Sequence, residues 1–514
     1  MHQNGIGAWL AKRRLTSPDR TALVWGDQST MTYREFADGA DRVAAMLRGL
    51  GVGTGGSVAY LGENSPDFLL VMFGTARLGA AFVPVNTRLA PPEIAHVLTD
   101  CGARVLIHDP EFTPRVAAAT GGVPALRIVV TGTDATDQPG LRTLLDSAAG
   151  TGDAGEIGPC PAGMDDPAAI IYTSGTTGRA KGAVLTHANL TWVAINCVID
   201  YDVVSGDVAL MISPLFHVAS LGMGALPVIL KGGTLVLEKG FEPGRALAQI
   251  ERHGVTMLSG VPTTYQMMAE HPDWSSTDLS SLTKLTCGGS AVPVRILDAY
   301  EQRGLSFSQG YGMTEASPGA TALPPAMTSA KQGSVGLPHF FTDVRIRDSD
   351  GSPAPAGTIG EIEIAGPNVF AGYHRLPDAT AAAFSADGWF RSGDLGYLDD
   401  DGYLYIAGRL KDMIISGGEN IYPPELELLL AEIDGVTGAA VIGVPDPRWG
   451  EIPWAVLTVR DGATIDVDVV RGQLDGRIAR YKMPKNVVIV DELPRTASGK
   501  VRKADLRARF GGQV

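Results

Sequence analysis

The sequence predicts a large N-terminal α/β domain followed by a small α+β C-terminal domain, and three observations carry that expectation. Strand-like apolar runs alternate with helical spacings through the first hundred residues, which implies a mainly parallel sheet with helices on its faces. After about residue 330 the runs alternate strictly between apolar and polar, as half-exposed antiparallel strands do. Near Gly408 the texture changes again, and the remaining hundred or so residues are enough for a small domain. At 514 residues the chain is also too long for one core.

The elements follow in order. Thr21–Trp25 reads as a strand and Met31–Tyr33 as a second short one. Phe36, Ala40, Val43, Ala44, Leu47 and Leu50 then fall on one helical face. Ser57–Leu61 is strand-like, and Ser65-Pro66 supplies an N-cap with proline at the first position of a helix running to about Leu78. Ala81–Val85, a helix opened by Pro91-Pro92, and Val105–Ile107 continue the pattern. His253–Gly260 and Leu282–Thr286 are strands entering glycine-containing turns. Val344–Arg347, Gly360–Ile364 and Gly402–Ile406 form the antiparallel part, forming a small β subdomain. Beyond Gly408–Asp412 come a helix from Pro423 to Ile433, the strand Ala439–Ile442 and a basic tail. Thr133–Gly163, rich in Gly, Ala and Asp, is the expected mobile connection.

Composition narrows the function classes. Forty-two basic against 56 acidic residues leave a net charge of −14, so an extended basic surface for nucleic acid is not supported. Cys101, Cys160, Cys197 and Cys287 form no C-x-x-C pair; they read as buried small hydrophobes in a reducing, cytoplasmic compartment. No basic segment followed by a long apolar run marks the N-terminus as a signal peptide. Val208–Leu230 lacks charge, but two prolines, a histidine, two serines and two glycines fit a buried strand, a ligand-lining turn and a core helix better than a membrane span.

The most informative segment is Tyr172-Thr173-Ser174-Gly175-Thr176-Thr177-Gly178-Arg179-Ala180-Lys181-Gly182, which follows the apolar run Ala168–Ile171. Such a loop can wrap phosphate oxygens with backbone N–H groups, hydroxyls and one cation. No Ser or Thr follows the lysine, so it is not a Walker A loop. A surface turn is the plain alternative. Four further segments accompany it: Gly288–Pro293 between a strand and a helix, Gln309-Gly310-Tyr311-Gly312-Met313-Thr314-Glu315, Trp389–Asp394, and Pro494–Lys500.

Together, in this order and spacing, these segments resemble the adenylate-forming superfamily of acyl-CoA synthetases, luciferases and peptide-synthetase adenylation domains, over nearly the whole chain. Ala180 departs from it, since the family usually has proline before the lysine. The resemblance implies an adenylation domain at residues 1–408, a hinge at 409–411 about Lys411, and a mobile domain at 412–514. It implies that Thr173, Ser174, Gly175, Thr176, Thr177, Gly178 and Lys181 hold the β/γ-phosphates of ATP. Glu315, with Thr173, would bind Mg2+. Tyr311 would stack on adenine beside Gly289, Ser290 and Ala291, with Gln309, Gly310, Gly312, Met313, Thr314 and Ile406 in the nucleotide set. Asp394 would accept the ribose hydroxyls, Arg409 would reach ribose or phosphate, and Lys500 would bridge the α-phosphate and the acid. Gly417, Gly418 and Glu419 would form the pantetheine tunnel for coenzyme A, and Lys482 would touch a CoA phosphate. Taken singly, Tyr311 could be core, Glu315 and Asp394 caps or surface acids, and Lys482 and Lys500 solvated lysines.

The implied activity is an ATP-dependent carboxylate–CoA ligase. By the same resemblance the acid lies among His217, Thr263, Gly288, Gly310 and the turn near Met313, with His217 as a gate or a packed histidine. These residues carry no arginine for a second carboxylate, and no acid is expected around Val208 for an ammonium group. Aryl or medium aliphatic acids follow. Transfer to a carrier-protein pantetheine or an amine is the second enzymatic reading, and a nucleotide-binding scaffold is the reading of another class. A homodimer is compatible with the sequence.

Overall fold

In the computed structural model, which describes residues 5–123, 125–134, 138–150, 157–173, 179–288, 292, 294–348, 350–416, 419–496 and 500–511, the N-terminal alternation resolves into two sheets. The chain divides into two compact units. The first comprises Met1–Gln332, Gly336–Asp343 and Ile364–Phe390; the second comprises Gly333–Val335, Val344–Glu363 and Arg391–Val514.

In the first unit, one sheet runs in the order Gly372–Tyr373, Lys181–Thr186, Pro167–Thr173, Ala81–Pro84, Ser57–Leu61, Val105–His108, Arg127–Val130. Its last five strands are parallel, as strand–helix–strand connections require. The other sheet places Phe307–Gly312, Lys284–Gly288, Met257–Gly260, Val208–Met211, Thr234–Leu237 and Thr21–Trp25 side by side, all parallel. Tyr265, Tyr300 and Phe307 meet edge-on or tilted beneath it, with centroids 4.6 to 5.5 Å apart. Each such aromatic pair adds roughly 0.5–1.5 kcal/mol beyond its buried area.

Local chemistry sets the element boundaries. Thr32 and Glu35 exchange hydrogen bonds in a reciprocal cap, so the helix Tyr33–Gly49 begins one residue after the strand Ser29–Thr32. Tyr33 is therefore helical, not strand as expected, and its hydroxyl donates to Gly233 O at 2.7 Å. Ser65 caps Pro66–Arg77 as expected, accepting from Phe68 N at 3.2 Å. The uncharged stretch beginning at Val208 becomes a strand to Met211, a turn, the π-helical turn Ala219–Ala225 and the helix Leu226–Lys231. Among the described residues no helix is long and apolar enough to cross a membrane. All four cysteines are free and buried, and burial pushes their thiols up, that of Cys101 to about 12.

The strands Asp343–Arg347, Gly360–Ala365, Phe390–Leu398 and Leu404–Arg409, which fall largely in the second unit, lie in that order in the sheet. Buried Glu363 is paired with Arg345 and Arg347 at 2.7 and 2.9 Å. The C-terminal part packs the helix Pro423–Ala431 on a sheet built from Ile414–Ser416, Glu419–Ile421, Val436–Asp446, Gly450–Val459 and Asn486–Ile489. Helix Lys503–Phe510 covers that sheet from the end of the chain, burying Leu506 and Phe510 beside Leu493.

Candidate functional site

The expected acyl residues of the first unit lie on or next to adjacent parallel strands of one sheet. Gly260, Gly288 and Gly310 stand at or near the carboxyl ends of adjacent parallel strands, in register Gly260↔Cys287 and Gly288↔Gly310. Thr263 opens the helix Pro262–Ala269 just past Gly260 and is exposed. His217 follows Val208–Met211, the neighbouring strand, within the turn that leads into Ala219–Ala225. Ligands of open α/β sheets bind outside the carboxyl ends of the strands, where loops meet without sheet bonds to satisfy. Asn64 fixes the His217 turn: its amide donates to Ser213 O at 2.9 Å and its carbonyl accepts from Leu215 N at 2.7 Å.

The strands that flank the expected phosphate loop are paired. Pro167–Thr173 and Lys181–Thr186 run antiparallel with Thr173 opposite Lys181; Ser174, Gly175, Thr176, Thr177 and Gly178 lie outside the described residues, as do Gly289, Ser290 and Ala291. Two flanking donors are thus held on paired strands. Ala180, the departure from the family pattern, offers its carbonyl to His96 Nε2 at 2.9 Å. The Lys181 ammonium lies 5.1 Å from the centre of the Tyr373 ring, a cation–π contact. Tyr373 in turn donates to Glu315 Oε1 at 2.9 Å. Burial and the neighbouring Glu315 raise the Tyr373 phenol well above its ordinary value, so it stays a donor.

Glu315 is 9% exposed and sits on the short turn Thr314–Ala316. Asn368, fully buried, braces that turn by donating to Ala316 O at 3.0 Å and Gly319 O at 2.7 Å. One carboxylate oxygen is engaged by Tyr373, and the other is the hard anionic donor that Mg2+ on a nucleotide prefers. Tyr311 pairs with Thr321 across the antiparallel neighbour strand, with Gln309 buried behind it. Met313 is extended and leads into Thr314.

Asp207, directly beside Val208, corrects the expectation that no acid stands there. It lies at the amino end of its strand, opposite the site, where Lys284 Nζ approaches to 2.6 Å and Thr256 Oγ1 to 2.8 Å. That carboxylate is consumed by the fold.

The second unit holds the remaining residues. Asp394, 6% exposed, faces Arg409 across paired strands, with Arg409 Nε 3.1 Å from its carboxylate. Ser392 Oγ accepts from Asp394 N at 3.0 Å and donates to Ile362 O at 2.6 Å, fixing the turn through Gly393, whose φ is +69°. Ile406 lies opposite Gly396 on the same pair of strands. Lys411 is exposed on the short turn Leu410–Asp412, and Glu419 is exposed opposite Ser416; Gly417 and Gly418 lie outside the described residues. Lys482 grips both oxygens of Glu425 at 2.8 and 2.7 Å, so here it is an ion-paired, half-buried lysine. Lys500 is exposed, on a turn closed by Thr496 N to Lys500 O at 2.7 Å and Lys500 N to Thr496 Oγ1 at 3.2 Å.

Tyr373 and Asn368 escaped the sequence reading. Neither stands in a loop of recognisable chemistry, and each is separated from Glu315 by more than fifty residues. Only the pairing of Gly372–Tyr373 with Lys181–Thr186 brings the phenol to the lysine.

The fold is that of the enzymes that adenylate a carboxylate. Residues 10–374 match the family described as AMP-binding enzyme, and residues 425–500 match the AMP-binding enzyme C-terminal domain. The chain belongs to that family and is an AMP-forming acyl-CoA synthetase. It is 48% identical to a feruloyl-CoA synthase of an Amycolatopsis species over 99% of this chain and 100% of the relative. It is 40% identical to an indoleacetate–CoA ligase of Aromatoleum aromaticum, covering 98% of this chain and 97% of the relative. Among solved structures, ATP-bound MatB from Rhodopseudomonas palustris superposes with a TM-score of 0.89 at 33% identity, covering 100% of both chains.

Proposed function

We propose that this ATP-dependent carboxylate–CoA ligase acts on an aryl-substituted acid of the size of a hydroxycinnamate. The carrying observation is 48% identity, end to end, with a feruloyl-CoA synthase. The glycines at the strand ends and the absence of an arginine among the expected pocket residues support a bulky, uncharged organic group.

In the first half-reaction a carboxylate oxygen attacks the α-phosphorus of ATP, the bond to the β-phosphate breaks, and pyrophosphate leaves. Such transfer asks for positioning and charge neutralisation, not for a general base. Thr173 and Lys181 would hold the β/γ-phosphates, Glu315 would hold the nucleotide's Mg2+, and Tyr373 would keep that carboxylate aimed. Mg2+ supplies charge neutralisation at the phosphates when bound. Asp394 and Arg409 would hold ribose, and Lys500 would neutralise the meeting point of carboxylate and phosphate. In the second half-reaction the CoA sulfur attacks the acyl carbon and AMP leaves. Residues 409–411 would act as a hinge that withdraws Lys500 and presents the Glu419 loop between the two steps. A cytoplasmic location fits the reduced cysteines, and a homodimer is compatible with the fold.

The test is release of AMP by the purified enzyme with ATP, CoA and a panel of acids. Ferulate, indoleacetate, medium-chain fatty acids and malonate make a sufficient panel. Preference for malonate or for the fatty acids would overturn the aryl reading, and adenylate without thioester would point to another acceptor.

A further inference from the structure

We propose that His96 and Asp100, on one face of the helix Pro91–Asp100, position Thr173 and Lys181 by each gripping one of the paired strands that carry them. This rests on the reading above in which Thr173 and Lys181 hold the β/γ-phosphates of ATP, and it names the groups that fix them. Residues four apart on a helix are neighbours on its surface. The helix itself is anchored. Glu93 accepts from Ala90 N at 2.8 Å at its start, and Ile94, Val97 and Leu98 are buried in a core of the first unit. His96 and Asp100 lie across the helix from these three and are half-buried.

Each grip falls on the residue next to a phosphate-binding one. His96 Nε2 lies 2.9 Å from the carbonyl oxygen of Ala180, the residue before Lys181. A carbonyl only accepts, so this Nε2 carries the hydrogen. Tyr172, the residue before Thr173, donates its hydroxyl to Asp100 Oδ2 at 2.5 Å. Burial first, and the Asp100 bond second, raise the Tyr172 phenol far above its ordinary value, so it stays a donor. The rings of His96 and Tyr172 meet edge-on with centroids 6.2 Å apart, which joins the two grips.

Sheet pairing gives this end of the strands less support. The neighbouring strands pair with Ala169 on one side and with Ala183 and Val184 on the other, so Thr173 and Lys181 project beyond them. His374 N adds a bond to Gly182 O at 2.7 Å. Their own register fixes Thr173 and Lys181 to each other, and the two grips tie that pair to the helix. Ala180 needs such a tie. A proline there would hold its own φ at about −65°, whereas alanine leaves that torsion to its contacts, of which the His96 bond is one. A displacement of about 1 Å in a positioning group can cost on the order of 10²-fold in rate.

The experiment measures KM for ATP and KM for the acid by pyrophosphate exchange, using the full-length enzyme and the acid of the panel above that is turned over best. Each variant is checked by thermal melting. His96→Phe keeps a ring beside Tyr172 but removes the N–H, and should raise KM for ATP about 3- to 10-fold, the worth of one hydrogen bond. KM for the acid, and thioester formation from supplied adenylate, should stay within about twofold. His96→Gln, which keeps an N–H donor, should recover part of the loss. Ala180→Pro, added to His96→Phe, should recover it as well, because the proline ring fixes the torsion that the bond had held. Tyr172→Phe, which removes only the hydroxyl, should raise KM for ATP in the same way and carries the test if His96→Phe does not fold. Unchanged KM for ATP in either folded variant, or an equal rise in both KM values, overturns the positioning role. So does a raised KM for ATP that neither His96→Gln nor Ala180→Pro lowers, since the loss then belongs to packing. Lys181→Ala separates the two readings. If it leaves KM for ATP unchanged, the phosphate role of Lys181 falls; if it raises KM while His96→Phe and Tyr172→Phe do not, only the grip falls.

Discussion

Glu315 and Lys500 serve the same proposed reaction but are held in opposite ways. Glu315 is buried on a turn braced by Asn368 and by the Tyr373 hydroxyl, inside a sheet-edge site of the first unit. Lys500 sits exposed in the second unit, with its backbone bonded to Thr496. Burial with several fixed contacts lowers the cost of holding a charge in position at every step. An exposed position lets a group arrive for one half-reaction and leave for the other. The difference teaches that fixed and transient charges can be told apart by how the fold supports them.

The sharpest way to break this comparison is Lys500→Ala. Adenylation, followed by pyrophosphate exchange, should fall by about 10²–10³, the usual effect of removing one donor to developing charge. Thioester formation from supplied adenylate should stay within a few-fold; an equal loss in both half-reactions would mean that Lys500 is no transient group. Next, Asp394→Ala should raise the KM for ATP by about 10- to 100-fold, from the loss of charge-assisted hydrogen bonds worth about 1.5–3 kcal/mol. An unchanged KM for ATP removes Asp394 from the nucleotide. Tyr373→Phe keeps the ring under Lys181 but frees Glu315, and should lower kcat/KM for ATP about tenfold with a higher Mg2+ requirement. If magnesium titrations of the two proteins coincide, Tyr373 does not act through Glu315.

The smallest expected effect concerns stability, and it asks whether the fixed side of the comparison softens in acid. Burial lowers His187 from 6.5 to about 4. The unfolded chain therefore binds the extra proton between those values while the folded chain does not. Stability from this group is complete above about pH 6.5 and declines as pH falls toward 4, by about 1 kcal/mol for the first pH unit. Thermal melts of His187→Phe should show a flatter acid limb than wild type; identical limbs would exclude His187 as the cause.

Much of this site was legible in the sequence because its donors cluster in short loops. Lys181, Gly310, Glu315 and Asp394 each stand in a short segment of glycines, hydroxyls and charges, and it is the joint pattern of these segments that points to a ligand. Asp207 shows the limit of that logic, for an acid beside the expected pocket proved to be tied to Lys284 at the far end of its strand. Lys482 shows it again, since its partner Glu425 is 57 residues away.

The sequence alone determined the class of fold, the order of the strands and helices, and the loops that carry ligand chemistry, because periodicity, capping and glycine placement are local properties. Only the tertiary structure decided that Tyr373 meets Lys181 and Glu315, and that Asn368 holds the turn that carries Glu315. Those contacts join residues far apart in the chain through strand register and side-chain packing, and neither quantity is written in any local window of amino acids.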